Sequence, residues 1–423
     1  MTAANAGADA AVTRRGVPFL ARARWGDRIV AESSRAVRVE APGHPPLLCF
    51  PIADVRLDAF GESGRSESSP VTGGARLWGV AGEEGAGRND VLWVFDSPPA
   101  ELAWLSGLAA FDQERVAVEV VDAVPGDEER DATVKRFPVW GDAADLLDLL
   151  DVRPAGNGCF VSVTRPSHQR AVVEGSQMLA QALVAASRHV PDRRVVSSHM
   201  LFVRAADVTA PLRFDLDELT NGRTFTGLAV TVLQGERRCA GGVVLLDATA
   251  PDAVRHAVES PPVPGPYDSE PLDMSVTGRD IRVVDGAYTD DPDAPVGPPV
   301  IDAWVRFRDV PDDPPLHAGL LAQFTGHMAI ATALRPHAGI GQRAAHRSLS
   351  TAINAIGLSL HADVRADRWV RYRHHSTFAG DGMTHAECRV HDEAGTLLAS
   401  FTVDAMVRAF PGGAPVADER RAL

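Results

Sequence analysis

Apolar residues recur at helical spacing in two long stretches of the chain. In "VVEGSQMLAQALVAASRHV" (172–190), Met178, Leu179, Ala182, Leu183 and Ala186 fall on one face. In "LLAQFTGHMAIATAL" (320–334), Leu320, Leu321, Phe324, Met328 and Ala331 do the same. Each stretch predicts one long amphipathic helix. His327 is a polar misfit on the second face, either a group serving a site or a core histidine with a hydrogen-bond partner. Runs that read as strands follow each helix. After the first come "VVSSHMLFVRA", "PLRFDLDEL", "TFTGLAVTVLQ" and "RRCAGGVVLLDA"; after the second come "LSTAINAIGLSLHADV", "DRWVRYRHHSTF", "THAECRVHDEA" and "TLLASFTVDAMVRAF".

The two series share a rhythm. "GRTFTGLAVTVLQGERRCAGGVVLL" and "GDGMTHAECRVHDEAGTLLASFTVDA" both read as glycine, strand, charged turn, strand, at an offset of about 160 residues. A sheet with one apolar face needs a cover, and a long apolar helix supplies it. The pattern therefore predicts an α+β double hotdog, two helix-plus-antiparallel-sheet repeats in one chain. Residues from about 19 to 122 differ. Short runs such as "DRIVAESSRAVRVEA", "ARLWGVAG", "DVLWVFDSP" and "RVAVEVVD", broken by turn signals and a Gly/Ser-rich loop "GESGRSESSPVTGG", predict a small all-β domain. The expected organisation is a disordered leader over 1–18, the all-β domain over 19–125 and a charged linker over 126–142. The first hotdog follows over 143–250, then a Pro/Asp-rich linker over 251–300, the second hotdog over 301–411 and a tail over 412–423.

Composition narrows the function classes. The 423 residues carry a net charge of −14, which gives no electrostatic case for nucleic acid or an anionic membrane. Cys49, Cys159, Cys239 and Cys388 are too widely spaced for a metal site or a disulfide scaffold. No run is long and apolar enough to span a bilayer, and "MTAANAGADAAVTRRG" does not read as a signal peptide. These features predict a reduced, cytoplasmic protein with no cofactor. The second half is rich in histidine (His337, His346, His361, His374, His375, His385, His391), but none forms a metal-binding helical pair.

The stretches "VVEGSQMLAQAL", "HVPDRRVVSSHMLFVRAADVTAPLRFDLDELTNGRTFTGLAVTVLQG", "LHAGLLAQFTGHMAIATALRPH" and "GTLLASFTVDAMVR" carry a family likeness. Over about residues 143–410 the chain resembles the TesB-like (type II) acyl-CoA thioesterases. The N-terminal region separately resembles a small all-β bacterial domain family of uncharacterised function. Its carriers are "RARWGDRIVAESSRAVRV" and "FPIADVRLDAF". Members often carry Cys-Pro-x-Lys-Gly at its centre; here the stretch reads Ser69-Pro70-Val71-Thr72-Gly73, without thiol or amine.

The thioesterase resemblance implies a hydrolytic triad in the second half: an Asp on the helix, a Thr or Ser on the next strand and a Gln on the last strand. Carried over residue by residue, those positions are Gly326, Ile353 and Val403. None can orient or deprotonate water. The nearby polar groups are His327, Thr351, Asn354 and Asp404, the candidate catalytic residues. Asn354 and Asp404 are one residue from family positions and face the other way unless a β-bulge intervenes. Glu174 and Gln177, at the start of the first long helix, join Gly326, Ile353 and Val403 as candidate substrate-binding residues. The resemblance and its departures together predict a diverged enzyme acting on an acyl thioester, CoA- or carrier-linked, or on a polyketide- or fatty-acyl-derived substrate. Its reaction would depend on orienting the substrate, as in a cyclisation. A thioesterase with relocated catalytic residues and a non-catalytic acyl-binding scaffold are the two alternatives. The resemblance also implies assembly into a homo-oligomer.

Overall fold

The computed structural model describes residues 12–41, 46–69, 73–80, 90–122, 132–164, 172–345 and 348–410. It divides into two compact units, residues 1–140 with 273–277, and residues 141–272 with 278–423.

The first unit is all-β. Seven strands form one sheet, ordered Thr13–Gly16, Val37–Glu40, Leu47–Pro51, Leu108–Phe111, Asp90–Ser97, Gly73–Val80 and Phe60–Ser69. Four more, ordered Thr133–Arg136, Ala117–Asp122, Leu20–Trp25 and Arg28–Ser33, form a second sheet. Ala21, Val30 and Val118 from the second sheet share a core with Leu48, Phe50 and Phe111 from the first. Three expectations change here. The end of the expected leader is the strand Thr13–Gly16, and the expected linker contributes Thr133–Arg136. The Gly/Ser-rich "loop" is a hairpin, Phe60–Ser69 against Gly73–Val80. Its small residues are paired through the backbone, which needs no side-chain propensity. Residues 70–72 of the Ser69–Gly73 stretch lie outside the described residues.

The second unit is built on one antiparallel sheet. Its strands are β1 (Arg153–Gly156), β2 (Cys159–Val161), β3 (Arg194–Phe202), β4 (Arg213–Asn221), β5 (Phe225–Gln234), β6 (Arg237–Asp247), β7 (Glu270–Pro271), β8 (Arg279–Val283), β9 (Val300–Phe307), β10 (Leu349–Leu360), β11 (Val370–Gly380), β12 (Met383–Asp392) and β13 (Leu397–Ala409). Their spatial order is β1-β2-β4-β5-β6-β3-β10-β13-β12-β11-β9-β8-β7. From the seam outward the order repeats, β3-β6-β5-β4 on one side and β10-β13-β12-β11 on the other, and at the seam β3 meets β10 with His199 opposite Gly357. This is the predicted duplication, a double hotdog. The segment expected as a linker over 251–300 supplies β7 and β8. Alternation in "RDIRV" is hidden there because all five residues are buried, three of them charged.

The helices are α1 (Ala143–Leu150), α2 (Gly175–His189), α3 (Pro314–Phe324) and α4 (Ala329–Leu334). Asp142 caps α1 and exchanges hydrogen bonds with Asp145. Met178, Leu179, Ala182, Leu183 and Ala186 of α2 are buried, as their spacing predicts. α2 and α3 pack closely; a Cβ added to Gly319 would stand 3.0 Å from Val184. The second predicted helix is interrupted: α3 ends at Phe324, and α4 restarts at Ala329. In between, Thr325 and His327 donate backbone N–H bonds to the carbonyls three residues back, and the Thr325 hydroxyl bonds to the Ala322 carbonyl at 2.6 Å. Gly326 is a poor helix former, and the threonine hydroxyl offers the backbone an alternative partner. The apolar face survives the break, since Leu320, Leu321, Phe324, Met328 and Ala331 are all buried.

Among the described residues, no helix is long and apolar enough to cross a membrane. The central seam tolerates no added bulk. A Cβ on Gly242 in β6 would collide with the His199 carbonyl oxygen and lie 2.6 Å from the Met200 sulfur. Gly242→Val therefore lowers unfolding stability by about 1–3 kcal/mol, from overpacking. Val243→Thr, at a position 48% exposed, changes it by under about 0.5 kcal/mol. Urea unfolding of both variants measures the difference.

Candidate active site

The helix break faces the start of α2. A Cβ placed on Gly326 would stand 2.7 Å from Ile353 Cδ1, 2.9 Å from Ser176 Oγ and 3.1 Å from Ser176 Cβ. The structure thus brings Gly326 and Ile353 together and adds Ser176, the second residue of α2. Gln177, the third, is 7% exposed, and its backbone N–H bonds to the Glu174 carbonyl.

Glu174 is the N-cap of α2, where its charge suits the positive end of the helix. One carboxylate oxygen accepts from Gln323 Nε2 at 3.3 Å and lies 3.9 Å from His327 Nε2. Arg279 of β8 approaches from the other side, with Nη1 at 3.5 Å from Gln323 Oε1 and 3.4 Å from His327 Nε2. An arginine only donates, so this last contact is a hydrogen bond when His327 carries its proton on Nδ1. His327 also stacks on Phe324, with centroids 4.7 Å apart and planes 16° apart. Arg279 lies over the same Phe324 ring. A cation and an anion from opposite halves of the molecule thus hold His327 in a cluster that is mostly closed to water. Glu174, with its side chain 35% exposed, is the carboxylate of the cluster that reaches solvent.

The strand candidates separate. Met200 pairs with Ile356 and Ser198 with Leu358, all buried on the helix side of the sheet, so even-numbered residues face the helices there. Ile353 and Thr351 also face the helices, although they are odd-numbered. The register of β10 against β13 shifts between Ile353 and Ala355, and Asn354 is the extra residue. The bulge turns Asn354 to the helix side beside Ile353, where its Oδ1 is buried without a hydrogen-bond partner. Thr351 is 1% exposed, opposite Val407. Val403 is fully buried on the helix side of β13, opposite Ile356. Asp404 does not join them. It projects from the opposite face of β13 and takes a 2.7 Å contact from His385 Nδ1, because strand alternation beyond the bulge is regular.

The sequence reading missed Arg279, Gln323 and Ser176. Gln323 had a signal, lying one helical turn before His327. Arg279 had none, being one of three arginines scattered through a Pro- and Asp-rich stretch. Among the described residues no three His, Cys, Asp or Glu side chains form a metal-binding group. The four cysteines form no disulfide.

A sheet of two repeated halves, each covered by a helix, defines the class as double hotdog. Models of the acyl-CoA thioesterase N-terminal and C-terminal domains match residues 164–250 and 237–407. This part of the chain belongs to the TesB-like acyl-CoA thioesterase family. A domain of unknown function, DUF427, matches residues 18–122. Acyl-coenzyme A thioesterase 8 of Homo sapiens is 26% identical over 262 residues, covering 56% of this chain and 81% of the human protein. Acyl-CoA thioesterase 2 of Haemophilus influenzae is 25% identical over 256 residues, covering 56% of this chain and 87% of that protein. Among solved structures, acyl-CoA thioesterase II TesB2 from Mycobacterium marinum superposes with a TM-score of 0.54 at 24% identity, over 63% of this chain and 99% of that one. A hot dog protein of unknown function from Alicyclobacillus acidocaldarius gives 0.50 at 18% identity, over 64% and 99%.

Behind the cluster, His374 is fully buried between Tyr372 and Phe401. Burial, helped by the nearby His327, pushes its pKa down to about 3. The folded protein therefore keeps His374 neutral while the unfolded chain takes up a proton below its usual value near 6.5. The unfolded state binds more protons, so stability falls as pH drops from about 6.5 toward 3, by at most about 1.4 kcal/mol per pH unit from this residue. His317, His361 and His391 are shifted the same way by burial. In urea unfolding across this range, His374→Leu accordingly flattens the slope without abolishing it.

Proposed function

We propose that the protein binds an acyl thioester, CoA- or carrier-linked, in the groove between the start of α2 and the α3–α4 turn, and converts it without the water-activating triad of its relatives. The observation that carries this reading is the closure around Gly326. At the position where the family resemblance implies an Asp there is no side chain, and a Cβ there would stand within 2.7–3.1 Å of Ile353 and Ser176, so a side chain must displace them. The neighbouring Glu174–Gln323–Arg279–His327 cluster is built to hold charge in place. Its histidine faces an arginine donor. Such a groove suits a reaction governed by the orientation of an acyl or polyketide-like chain, cyclisation among them. The acyl class follows from the curated relatives, which are named acyl-CoA thioesterases.

A second reading has a specific observation behind it. Glu174 and His327 come from the two halves and stand 3.9 Å apart, which is the outline of a relocated acid–base pair.

Hydrolysis of octanoyl-CoA, followed by thiol release, separates the two. On the leading reading the wild type is slow, and Glu174→Gln changes little. The quadruple variant Gly326→Asp, Ile353→Thr, Val403→Gln, Ser176→Gly restores the family's polar set and removes both close neighbours of a residue-326 side chain, and it gains about 10²-fold or more. Fast wild-type turnover that collapses in Glu174→Gln and His327→Ala, with no gain in the quadruple variant, overturns the leading reading in favour of the second.

A further inference from the structure

Strands β7 and β8 pair as a hairpin in the second unit, but residues 273–277, at its tip, belong to the first unit. Within that unit the tip is held by several bonds. The Lys135 ammonium donates to the Val276 carbonyl, and the Trp140 N–H donates to the Ser275 carbonyl at 2.7 Å. The Asp273 carboxylate accepts the Arg136 N–H at 3.1 Å and the Ser275 N–H at 2.7 Å. Val276 and Thr277 are 2% and 4% exposed. The Lys135 side chain is 1% exposed and its Nζ lies 3.9 Å from the carboxylate of Asp122, which is fully buried. A buried ammonium is costly unless its charge and its donors are matched, so its grip on Val276 is a fixed part of the first unit.

From this anchor the chain reaches the groove in two residues. Gly278 follows Thr277 at a φ of +74°, and its carbonyl accepts the Arg308 N–H at 2.8 Å. Arg279 comes next, the first residue of β8, opposite Phe307 of β9. On the other side of β8, β7 pairs with Arg282 and Val283 and does not extend to Arg279. The end of a strand frays more readily than its middle. Yet this end residue is the one whose Nη1 stands 3.5 Å from Gln323 Oε1 and 3.4 Å from His327 Nε2. Both contacts are near the limit of a hydrogen bond, and a displacement of about 1 Å breaks them.

We propose that the first unit positions Arg279 through this tie, with Lys135 as a positioning residue for the reaction in the groove. Lys135 holds Val276, Val276 fixes where β8 begins, and the start of β8 sets how closely the Arg279 donor approaches His327. The all-β unit is then part of what makes the groove work. The proposal rests on reading the groove at His327 as the site of thioester conversion. The competing anchor is the clasp of Asp280 by Arg306 and Arg308, which holds the next residue from within the second unit.

The two anchors are told apart by the His327 ring in ¹⁵N NMR of the full chain, assigned by its loss in His327→Ala. Arg279→Gln removes the guanidinium and gives the full displacement of the Nε2 resonance. A Gly-Ser-Gly insertion between Thr277 and Gly278 keeps the bonds of the tip and adds slack between it and Arg279. The same insertion between Leu272 and Asp273 adds slack on the β7 side and leaves the tie to Arg279 intact. Lys135→Met releases Val276 from the first unit's side. The downstream insertion is expected to displace the resonance by at least half as much as Arg279→Gln, and the upstream insertion not at all. Lys135→Met displaces it in the same direction, whether or not the first unit stays folded. Melting temperatures show which insertion variants are folded, and Asp273→Ala, which frees the exposed end of the tip, replaces any that is not. An unmoved resonance in the downstream variant or in Lys135→Met assigns Arg279 to the Asp280 clasp and overturns the proposal. Equal displacement by both insertions overturns it as well, since it reports a general disturbance of the hairpin. Failure of the groove reading alone looks different: octanoyl-CoA turnover departs from expectation while the His327 resonance still answers to the downstream insertion.

Discussion

The pairing of β3 with β10 is the constraint on which the second unit depends. Five residues on each strand, Ser197–Leu201 and Ala355–Ser359, join two half-sheets into one. Because the order of strands mirrors outward from this seam, the helices covering the two halves must lie side by side and run in opposite senses. That geometry brings the beginning of α2 to the end of α3. Neither half alone could assemble Glu174, Gln323, Arg279 and His327, since the first comes from one repeat and the other three from the part of the chain that follows it. Gly242 guards the seam from the side: any side chain there meets the backbone of β3.

The polar cluster at the start of α2 is largely buried. Arg279 is 3% and Gln323 1% exposed, and Arg279 Nη1 reaches both Gln323 Oε1 and His327 Nε2. Breaking such a set leaves a buried charge, and burying a lone charge is far more costly than burying a matched pair. The same logic recurs at the next residue of β8, where Asp280, 2% exposed, is clasped by Arg306 and Arg308, and these partners hold its carboxyl below the usual range against the opposing effect of burial.

Much of this was legible in the sequence, for identifiable reasons. The two amphipathic faces gave their buried residues correctly because helical spacing is local and survives even a broken helix. The duplication was legible because β4–β6 and β11–β13 repeat both their glycines and their turns. The functional region was harder. The break at Thr325–Met328 depends on a hydroxyl-to-carbonyl bond that competes with helix geometry and leaves no mark in the apolar period. Strand β8 was invisible because full burial on both faces erases alternation, and because its arginines and aspartate read as surface. Asp404 fell on the wrong face because alternation decides it, whereas Asn354 fell on the groove face because a bulge overrides alternation. Nothing in "TAINAIG" announces that bulge.

That bulge has a consequence for descent as well as for geometry. One extra residue in β10 is a phase shift: side chains that face the groove are odd-numbered before it and even-numbered after it. Ile353 and Asn354 therefore share a single rung of the ladder, one apolar and one amide. A lineage that gained or lost this residue would exchange its groove lining along half a strand in one step, with no substitution at all. In a chain whose two halves no longer have to match, such a step alters one half and leaves the other untouched.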